Sequence, residues 1–133
     1  MSNSNRDLVE RLYTEFNETL ELPRWALHDV VVWHPPADEP DNGARKGAET
    51  VIRYVHDWAR SFDNYHCELQ ELVESDDCVA AVVVLSGQIG GSSAELTLPL
   101  TQVWRIHDGK VVEVREYRTK AEALEALAGR RGT

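Results

Sequence analysis

The chain has 133 residues, a length typical of one domain, and we predict a single domain spanning residues 1–133. With 42% apolar and 28% charged residues, its composition is that of an ordinary globular protein. A formal net charge of −9 disfavours binding to nucleic acids or anionic membranes, whose phosphates repel such a surface.

The N-terminal part of the chain has helical periodicity. Apolar residues recur at every fourth position and predict an amphipathic helix that starts near Ser4 or Asn5: Leu8, Leu12, Phe16 and Leu20. Pro23 ends this helix and can open a short second one. Residues 30–33 are β-branched and aromatic and predict a strand, and residues 35–45 are turn-rich and acidic and predict a loop. A further helix is predicted from apolar residues at helical spacing: Val51, Ile52, Val55, Trp58, Ala59 and Phe62.

The rest of the chain is dominated by strand patterns. Four strands are predicted: Tyr65–Glu74, Val79–Ile89, Glu95–His107 and Lys110–Arg118. The Asp108-Gly109 step between the last two is a strong hairpin signal. Thr119 and Glu122 form a capping box that opens a short helix, and Gly129 is expected to stop it. Helices followed by antiparallel strands imply an α+β fold in which the helices cover one face of the sheet.

No apolar run approaches the ~20 residues of a membrane span. The polar start of the chain, Met1 to Asp7, lacks the apolar core of a signal peptide. We therefore predict a cytoplasmic protein that does not bind membranes. Cys67 and Cys78 flank a predicted hairpin turn at positions too far apart along the ladder for a disulfide, which fits that compartment.

Strand alternation predicts which side chains share a face of the sheet. One face of the third long strand carries an apolar set with one polar member: Leu98, Leu100, Gln102, Trp104 and Ile106. One face of the last strand carries Val112, Val114, Glu116 and Arg118. An amide or carboxylate on an apolar face suggests a pocket wall. The alternative is that Gln102 bonds to backbone and Glu116 lies at a wet edge. We predict a ligand pocket lined by Tyr13, Trp58, Leu100, Trp104, Val114 and Arg118, with Trp33 on the opposite face.

Several short motifs, in this order, resemble the nuclear transport factor 2-like superfamily. They are the first helix ending in Asn17, the step Val32-Trp33-His34-Pro35, the helix opening Arg45-Lys46-Gly47-Ala48-Glu49, and His107-Asp108-Gly109-Lys110-Val111-Val112 leading to Arg115-Glu116-Tyr117. The resemblance is to its SnoaL-like polyketide cyclase and ketosteroid isomerase-related members. It implies a cone-shaped, curved antiparallel sheet with N-terminal helices enclosing an apolar pocket, a cystatin-like roll. It also implies a homodimer through the outer face of the sheet.

Only some of the family's catalytic residues have counterparts in this sequence. His34, before Pro35, occupies the place of the isomerases' general base, an Asp before a Pro, and Gln102 matches their oxyanion-donating acid. Leu12 replaces their helix-1 Tyr. Steroid-type isomerisation is therefore not expected. The epoxide hydrolases of the superfamily use an Asp-Arg-Asp arrangement. Only its last-strand Asp has a counterpart in this sequence, which is Glu116.

The candidate catalytic residues are His34, Gln102 and Glu116. His34 would abstract a proton next to a carbonyl, Gln102 would donate to the enolate oxygen, and Glu116 would act as an acid or orient His34. This chemistry needs no metal or organic cofactor, and the partner is a small apolar, oxygenated molecule. Two hypotheses remain: a cofactor-free cyclase, isomerase or dehydratase, and a non-catalytic ligand-binding or dimerisation module of the same fold. His34 could instead simply bond to loop backbone.

Overall fold

The computed structural model describes residues 4–131, so the polar start of the chain at residues 1–3 lies outside the described residues. The helices are α1 (Asn5–Thr19), a 3₁₀ turn (Arg24–Ala26), α2 (Ala48–Arg60) and α3 (Lys120–Arg131). The strands are β1 (Leu27–His34), β2 (Arg45–Lys46), β3 (Phe62–Ser75), β4 (Cys78–Ile89), β5 (Glu95–His107) and β6 (Lys110–Tyr117). The α+β class predicted from the sequence is confirmed.

All six strands belong to one curved, unclosed sheet, in the order β2-β1-β6-β5-β4-β3. Strands β3 to β6 pair with their neighbours in the chain and are antiparallel. Strand β1 lies parallel to β6, so the sheet is mixed rather than wholly antiparallel as expected. The short strand β2, which the sequence pattern did not indicate, pairs with β1 at Val32 and Trp33.

Tight turns join the central strands and fix their register. The Asp108-Gly109 hairpin is confirmed: His107 pairs with Lys110, and both turn residues have positive φ, as a two-residue primed turn requires. The β3–β4 turn also has two residues, with Ser75 opposite Cys78, but of the two only Asp76 has positive φ. This register determines which residues of β4 and β5 face the helices.

Helices cover both faces of the sheet, which corrects the expectation that they cover only one. Helices α1 and α2 pack on what we call the inner face and share the main hydrophobic core with it. Helix α3 packs on the outer face, where Ala123 and Leu127 join a smaller core with Ala80 and Val103. The outer face is therefore only partly open.

The helix ends follow from local side-chain chemistry. The Ser4 hydroxyl accepts a bond from the backbone N–H of Asp7 and caps α1. The capping box at α3 is confirmed, because the backbone N–H groups of Thr119 and Glu122 each bond to the other residue's side chain at 3.1 Å. The predicted stop at Gly129 is wrong, since α3 continues to Arg131. A glycine ends a helix only where the chain adopts a left-handed conformation, and the backbone at Gly129 stays helical.

Neither Cys67 nor Cys78 forms a disulfide, and both lie in the buried part of the sheet. Cys67 lies on β3 opposite Leu85, whereas Cys78 begins β4 and packs in the smaller core. Within residues 4–131, no helix is long and apolar enough to cross a membrane.

Candidate functional site

A cavity of about 230 Å³ lies between the inner face of the sheet and helices α1 and α2. Aromatic side chains form much of its wall: Tyr13, Phe16, Trp33, Tyr54, Trp58, Tyr65 and Trp104. The volume is below the ~300–1,000 Å³ of typical ligand pockets, so only a small molecule fits.

A continuous chain of hydrogen bonds crosses the cavity wall. The Trp104 indole N–H donates to the Tyr13 hydroxyl at 2.9 Å, and that hydroxyl donates to the Gln102 carbonyl oxygen. The Gln102 amide then donates to Oε2 of Glu116 at 2.9 Å, and the Trp33 indole N–H donates to Oε1 at 3.1 Å. Each donor is oriented by its partner, and the chain ends at the Glu116 carboxyl.

Glu116 is the ionisable group at which these hydrogen bonds converge. Burial raises the pKa of its carboxyl above the usual range, while the donors Gln102 and Trp33 hold the rise back. A carboxyl shifted in this direction can exchange protons closer to neutral pH than an exposed one.

The tyrosine hydroxyls and the cysteine thiol of the wall stay protonated near neutral pH. Burial, and to a lesser degree the nearby Cys67, raises the pKa of Tyr13 well above its ordinary value. Burial raises the pKa of Tyr54 and that of the Cys67 thiol to about 12. Neither tyrosine is an anion here, so Tyr13 acts as a hydrogen-bond donor to Gln102.

The acidic loop, residues 35–44, lies at the mouth of the cavity. Its Glu39 and Asp41 line the cavity together with Arg45 and Arg118. Arg118 bonds to Glu39 at 2.8 Å and to Asp38 at 3.0 Å. Arg45 bonds to the Asp41 carboxylate at 2.9 Å and lies over the Tyr54 ring, with its guanidinium carbon 4.5 Å from the ring centre. Both arginines at the mouth are thus engaged with acidic partners.

The position expected for His34 inside the cavity is wrong. His34 lies opposite Arg115 in the parallel pair of β1 and β6, and its Nε2 is 3.4 Å from a carboxylate oxygen of Glu113, away from the cavity-lining residues. Burial, followed by the charge of Arg115, lowers its pKa. The preceding residue, Trp33, faces inward instead, because neighbouring residues of a strand point to opposite faces. The expectation that Trp33 packs on the outer face is therefore also wrong.

The side chains of Gln102 and Glu116 lie in contact in the cavity wall, as the sequence predicts. Their catalytic roles remain predictions. Among the predicted pocket residues, Tyr13, Trp58, Leu100, Trp104 and Arg118 line the cavity. Val114 does not line it: it is completely buried in the core, in register with both Trp33 and Trp104.

A bulge explains the imperfect prediction for β6. The register between β5 and β6 shifts at Arg105 and Ile106, so that Ile106 pairs with Val111 while Arg105 pairs with Glu113. Val112 falls in this irregularity and is only half-buried, whereas Val111 is fully buried. Strict alternation resumes after the bulge and places Glu116 on the inner face.

Sequence reasoning missed two prominent members of the wall, Trp33 and Tyr54. Tyr54 lies four residues before Trp58 on α2, and that helical spacing was an available signal. Trp33 had no comparable signal, because apolar residues occupy both parities of β1 and alternation could not choose between them. Across residues 4–131, no group of three or more His, Cys, Asp or Glu side chains comes together as a metal site would require.

Comparison with known proteins agrees with this architecture. Residues 9–114 match the model of the SnoaL-like domain family. No curated protein matches the chain.

Solved structures show the same fold at low sequence identity. One is a protein with a ketosteroid isomerase-like fold from Catenulispora acidiphila, in complex with trimethylamine (13% identity, 92% of each chain covered, TM-score 0.72). Another is a putative SnoaL-like polyketide cyclase from Jannaschia sp. CCS1 (18%, 96% of each chain, 0.71). A third is TerC, co-crystallised with polyporic acid (15%, 93% of this chain and 98% of that one, 0.70). The family match spans most of the chain, and the protein is a member of the SnoaL-like domain family within the nuclear transport factor 2-like superfamily.

Proposed function

We propose that the cavity binds a small apolar, oxygenated molecule and that Glu116 exchanges a proton with it. The chemistry would be a cyclisation, isomerisation or dehydration without a cofactor. The observation that carries the proposal is the hydrogen-bond chain from Trp104 through Tyr13 and Gln102 to the Glu116 carboxyl in the cavity wall. A raised pKa and fixed donors are what a proton-transferring carboxyl needs.

Each polar group of the chain has a role in this proposal. Glu116 takes a proton from carbon next to a carbonyl group and returns it at another position. Gln102 uses one N–H for Glu116, and its second N–H serves as a donor to the developing enolate oxygen. The Tyr13 hydroxyl bonds to the Gln102 carbonyl oxygen and so holds the amide with one N–H towards Glu116 and the other towards the ligand.

The ligands of related folds support a small-molecule function. The Catenulispora acidiphila protein is described with trimethylamine, and TerC with polyporic acid. Both are small molecules, which supports a small-molecule ligand for this cavity. The identities of 13% and 15% do not carry either ligand over to this chain.

Exchange of α-protons tests the chemistry without knowledge of the substrate. We expect the protein to accelerate the incorporation of deuterium from D₂O into 2-tetralone, a two-ring ketone, measured by ¹H NMR. The rate should rise with pH through the raised pKa of Glu116 and then level off, because only the ionised carboxylate accepts a proton. Glu116→Gln should lower the rate by about 10²-fold or more, since general acid–base catalysis is worth 10²–10⁴-fold.

His34→Ala is the control for this experiment. His34 lies outside the cavity, so the variant should exchange 2-tetralone within about twofold of the wild-type rate, as expected for a substitution away from the site. Loss of exchange in His34→Ala, or full exchange in Glu116→Gln, would contradict the assignment of proton transfer to Glu116.

The non-catalytic module remains the second candidate. The position of His34 favours it, because the predicted base lies outside the cavity. Of the three predicted catalytic residues, Glu116 is then the one ionisable group in the wall. Binding of 2-tetralone without any acceleration of exchange would support this candidate over the enzyme.

We further propose a homodimer through the part of the outer face that α3 leaves open. Val82 and Val84 on β4 and Pro99 on β5 keep part of their surface accessible there, whereas α3 covers Val103 and packs against Tyr117. Half-exposed valines on a central strand suit a partner surface. Light scattering should return the mass of two chains, and the mass of one chain at micromolar concentration would argue against the dimer.

The cytoplasm is the proposed compartment, since neither cysteine forms a disulfide. Cell fractionation that recovers the protein in an oxidising compartment would contradict this. We also treat residues 1–133 as one domain, since the family match covers residues 9–114.

A further inference from the structure

The hydrogen-bond donors around Glu116 are largely used up within the wall itself. The indole N–H groups of Trp33 and Trp104, the Tyr13 hydroxyl and one N–H of Gln102 each bond to another wall residue. Each oxygen of Glu116 accepts one of these bonds and keeps a further lone pair. Around Glu116 the wall therefore offers mainly acceptors, and a ligand that binds the carboxylate supplies the donors.

The carboxyl at the centre of this acceptor surface has only uncharged hydrogen-bond partners. Its two bonds come from an amide and an indole. Among the described residues, no Lys or Arg nitrogen lies within 4 Å of it as an ion-pair partner. The positive charge of Arg118 acts on the carboxyl only through space and is shared with Asp38 and Glu39. An ionised carboxylate without a cationic partner is costly in a cavity of low polarity. A cation in the cavity would offset that cost.

The aromatic walls suit the same kind of ligand. Faces of Trp and Tyr rings attract cations within about 6 Å, more strongly where water is excluded. The chain already contains such a contact at the mouth, where the Arg45 guanidinium lies over Tyr54. Trp33 bonds to Glu116 through its indole N–H, and Trp104 meets Trp33 edge to face with the ring centres 5.7 Å apart, so both indoles belong to the same part of the wall.

Charge at the mouth does not oppose a cation. Glu39 and Asp41 line the cavity, and the two arginines beside them are neutralised by the acidic loop. The formal charge of the whole chain is −9, which attracts cations and repels anions at a distance. An anionic ligand would meet repulsion at the surface, at the mouth and at Glu116.

We propose that this cavity selects small organic ammonium ions: protonated amines with an aromatic or apolar body, whose N–H groups bind the Glu116 carboxylate. This goes beyond the proton chemistry proposed above and shares with it the cavity and the Glu116 carboxyl, but not the catalytic step. An ammonium ion bound at Glu116 would exclude a ketone from the same place, so amines of this size would also inhibit the proposed exchange competitively.

Three compounds of nearly equal size and different charge test the selectivity. Benzylamine, benzyl alcohol and benzoate would be titrated by isothermal titration calorimetry at pH 7.5 into the wild type and into two variants. Glu116→Gln removes the charge in the cavity. Glu113→Gln is the matched control, because it removes a glutamate charge on the outer face.

We expect benzylamine to bind the wild type about 10-fold or more tighter than benzyl alcohol, from a charge-assisted bond together with cation–π contacts. Benzoate should give no measurable binding. In Glu116→Gln the preference for benzylamine should fall to about threefold or less, whereas Glu113→Gln should retain it. Circular dichroism of both variants checks that they are folded.

Equal binding of benzylamine and benzyl alcohol, a preference that survives in Glu116→Gln, tightest binding of benzoate, or binding of none of the three at millimolar concentration would each overturn the proposal. Failure of the proton chemistry gives a different result. A protein that selects benzylamine but does not exchange 2-tetralone has the ammonium site without the catalytic activity, because binding needs only the charge of Glu116.

Discussion

The Tyr13→Phe variant should lose about 2–5 kcal/mol of unfolding free energy, although the substitution removes a single oxygen atom. The Tyr13 hydroxyl is the only link between the Trp104 indole and Gln102 in the hydrogen-bond chain. Trp104 and Gln102 are 1% and 6% exposed, so their freed N–H and carbonyl groups cannot turn to bulk water. Each unsatisfied buried group costs about 1–3 kcal/mol.

Tyr65→Phe provides the matched control. It removes a hydroxyl from the same cavity wall, but Tyr65 accepts a bond from Trp58, whose side chain is exposed and can bond to water. We expect a loss of about 1 kcal/mol or less for Tyr65→Phe. Urea denaturation followed by far-UV circular dichroism measures both variants. Equal losses in the two would show that the Tyr13 hydroxyl is not a structural link.

The Asn17→Ala variant should lose about 2–4 kcal/mol, again because two buried groups lose their partners. The Asn17 amide donates to the backbone carbonyl of Cys67 and accepts from its backbone N–H, both at 2.9 Å. Strand β3 is an edge strand of the sheet, so the backbone groups on one of its sides have no neighbouring strand to pair with. Asn17 satisfies those groups at the buried residue Cys67. Asn17 thus joins α1 to the backbone of β3 through two hydrogen bonds.

Thr14→Ala controls for the loss of a polar side chain from the same helix. The Thr14 hydroxyl is exposed and bonds only to the Glu10 carbonyl one turn earlier, so its removal should change stability by less than about 0.5 kcal/mol. Asn17→Asp should fall between the two, since it keeps the acceptor for the Cys67 N–H and loses the donor. A loss in Asn17→Ala no larger than that in Thr14→Ala would contradict the role given to Asn17.

Most elements of the fold could be predicted from signals between residues that are close together in the sequence. Hydrophobic spacing located α1 and α2, the Asp108-Gly109 step fixed the β5–β6 hairpin, and the capping box marked the start of α3. These features depend on residues close together in the chain. The parallel pairing of β1 with β6 and the packing of α3 on the outer face depend on contacts between distant segments, and no local pattern encodes them.

The site was predictable to the extent that strand parity was unambiguous. On β5, Gln102 is a single polar residue in an apolar row, so its face was evident from the sequence. On β1, the choice between Trp33 and His34 was made by analogy with the base of the isomerases, and the analogy selected the wrong parity. A position shared with a family does not fix the direction of a side chain when the neighbouring residues on both faces are apolar.

The parallel pairing of β1 with β6 also determines when the cavity is completed during folding. Strands β3 to β6 form successive hairpins that assemble from neighbouring segments, whereas β1 must wait until β6 has been made and has docked. The bond between Trp33 and Glu116 spans this last junction. A nascent chain that has emerged from the ribosome only as far as β5 has most of its sheet and no binding site. Ligand binding by a newly made molecule therefore reports that β6 has been synthesised and has paired with β1.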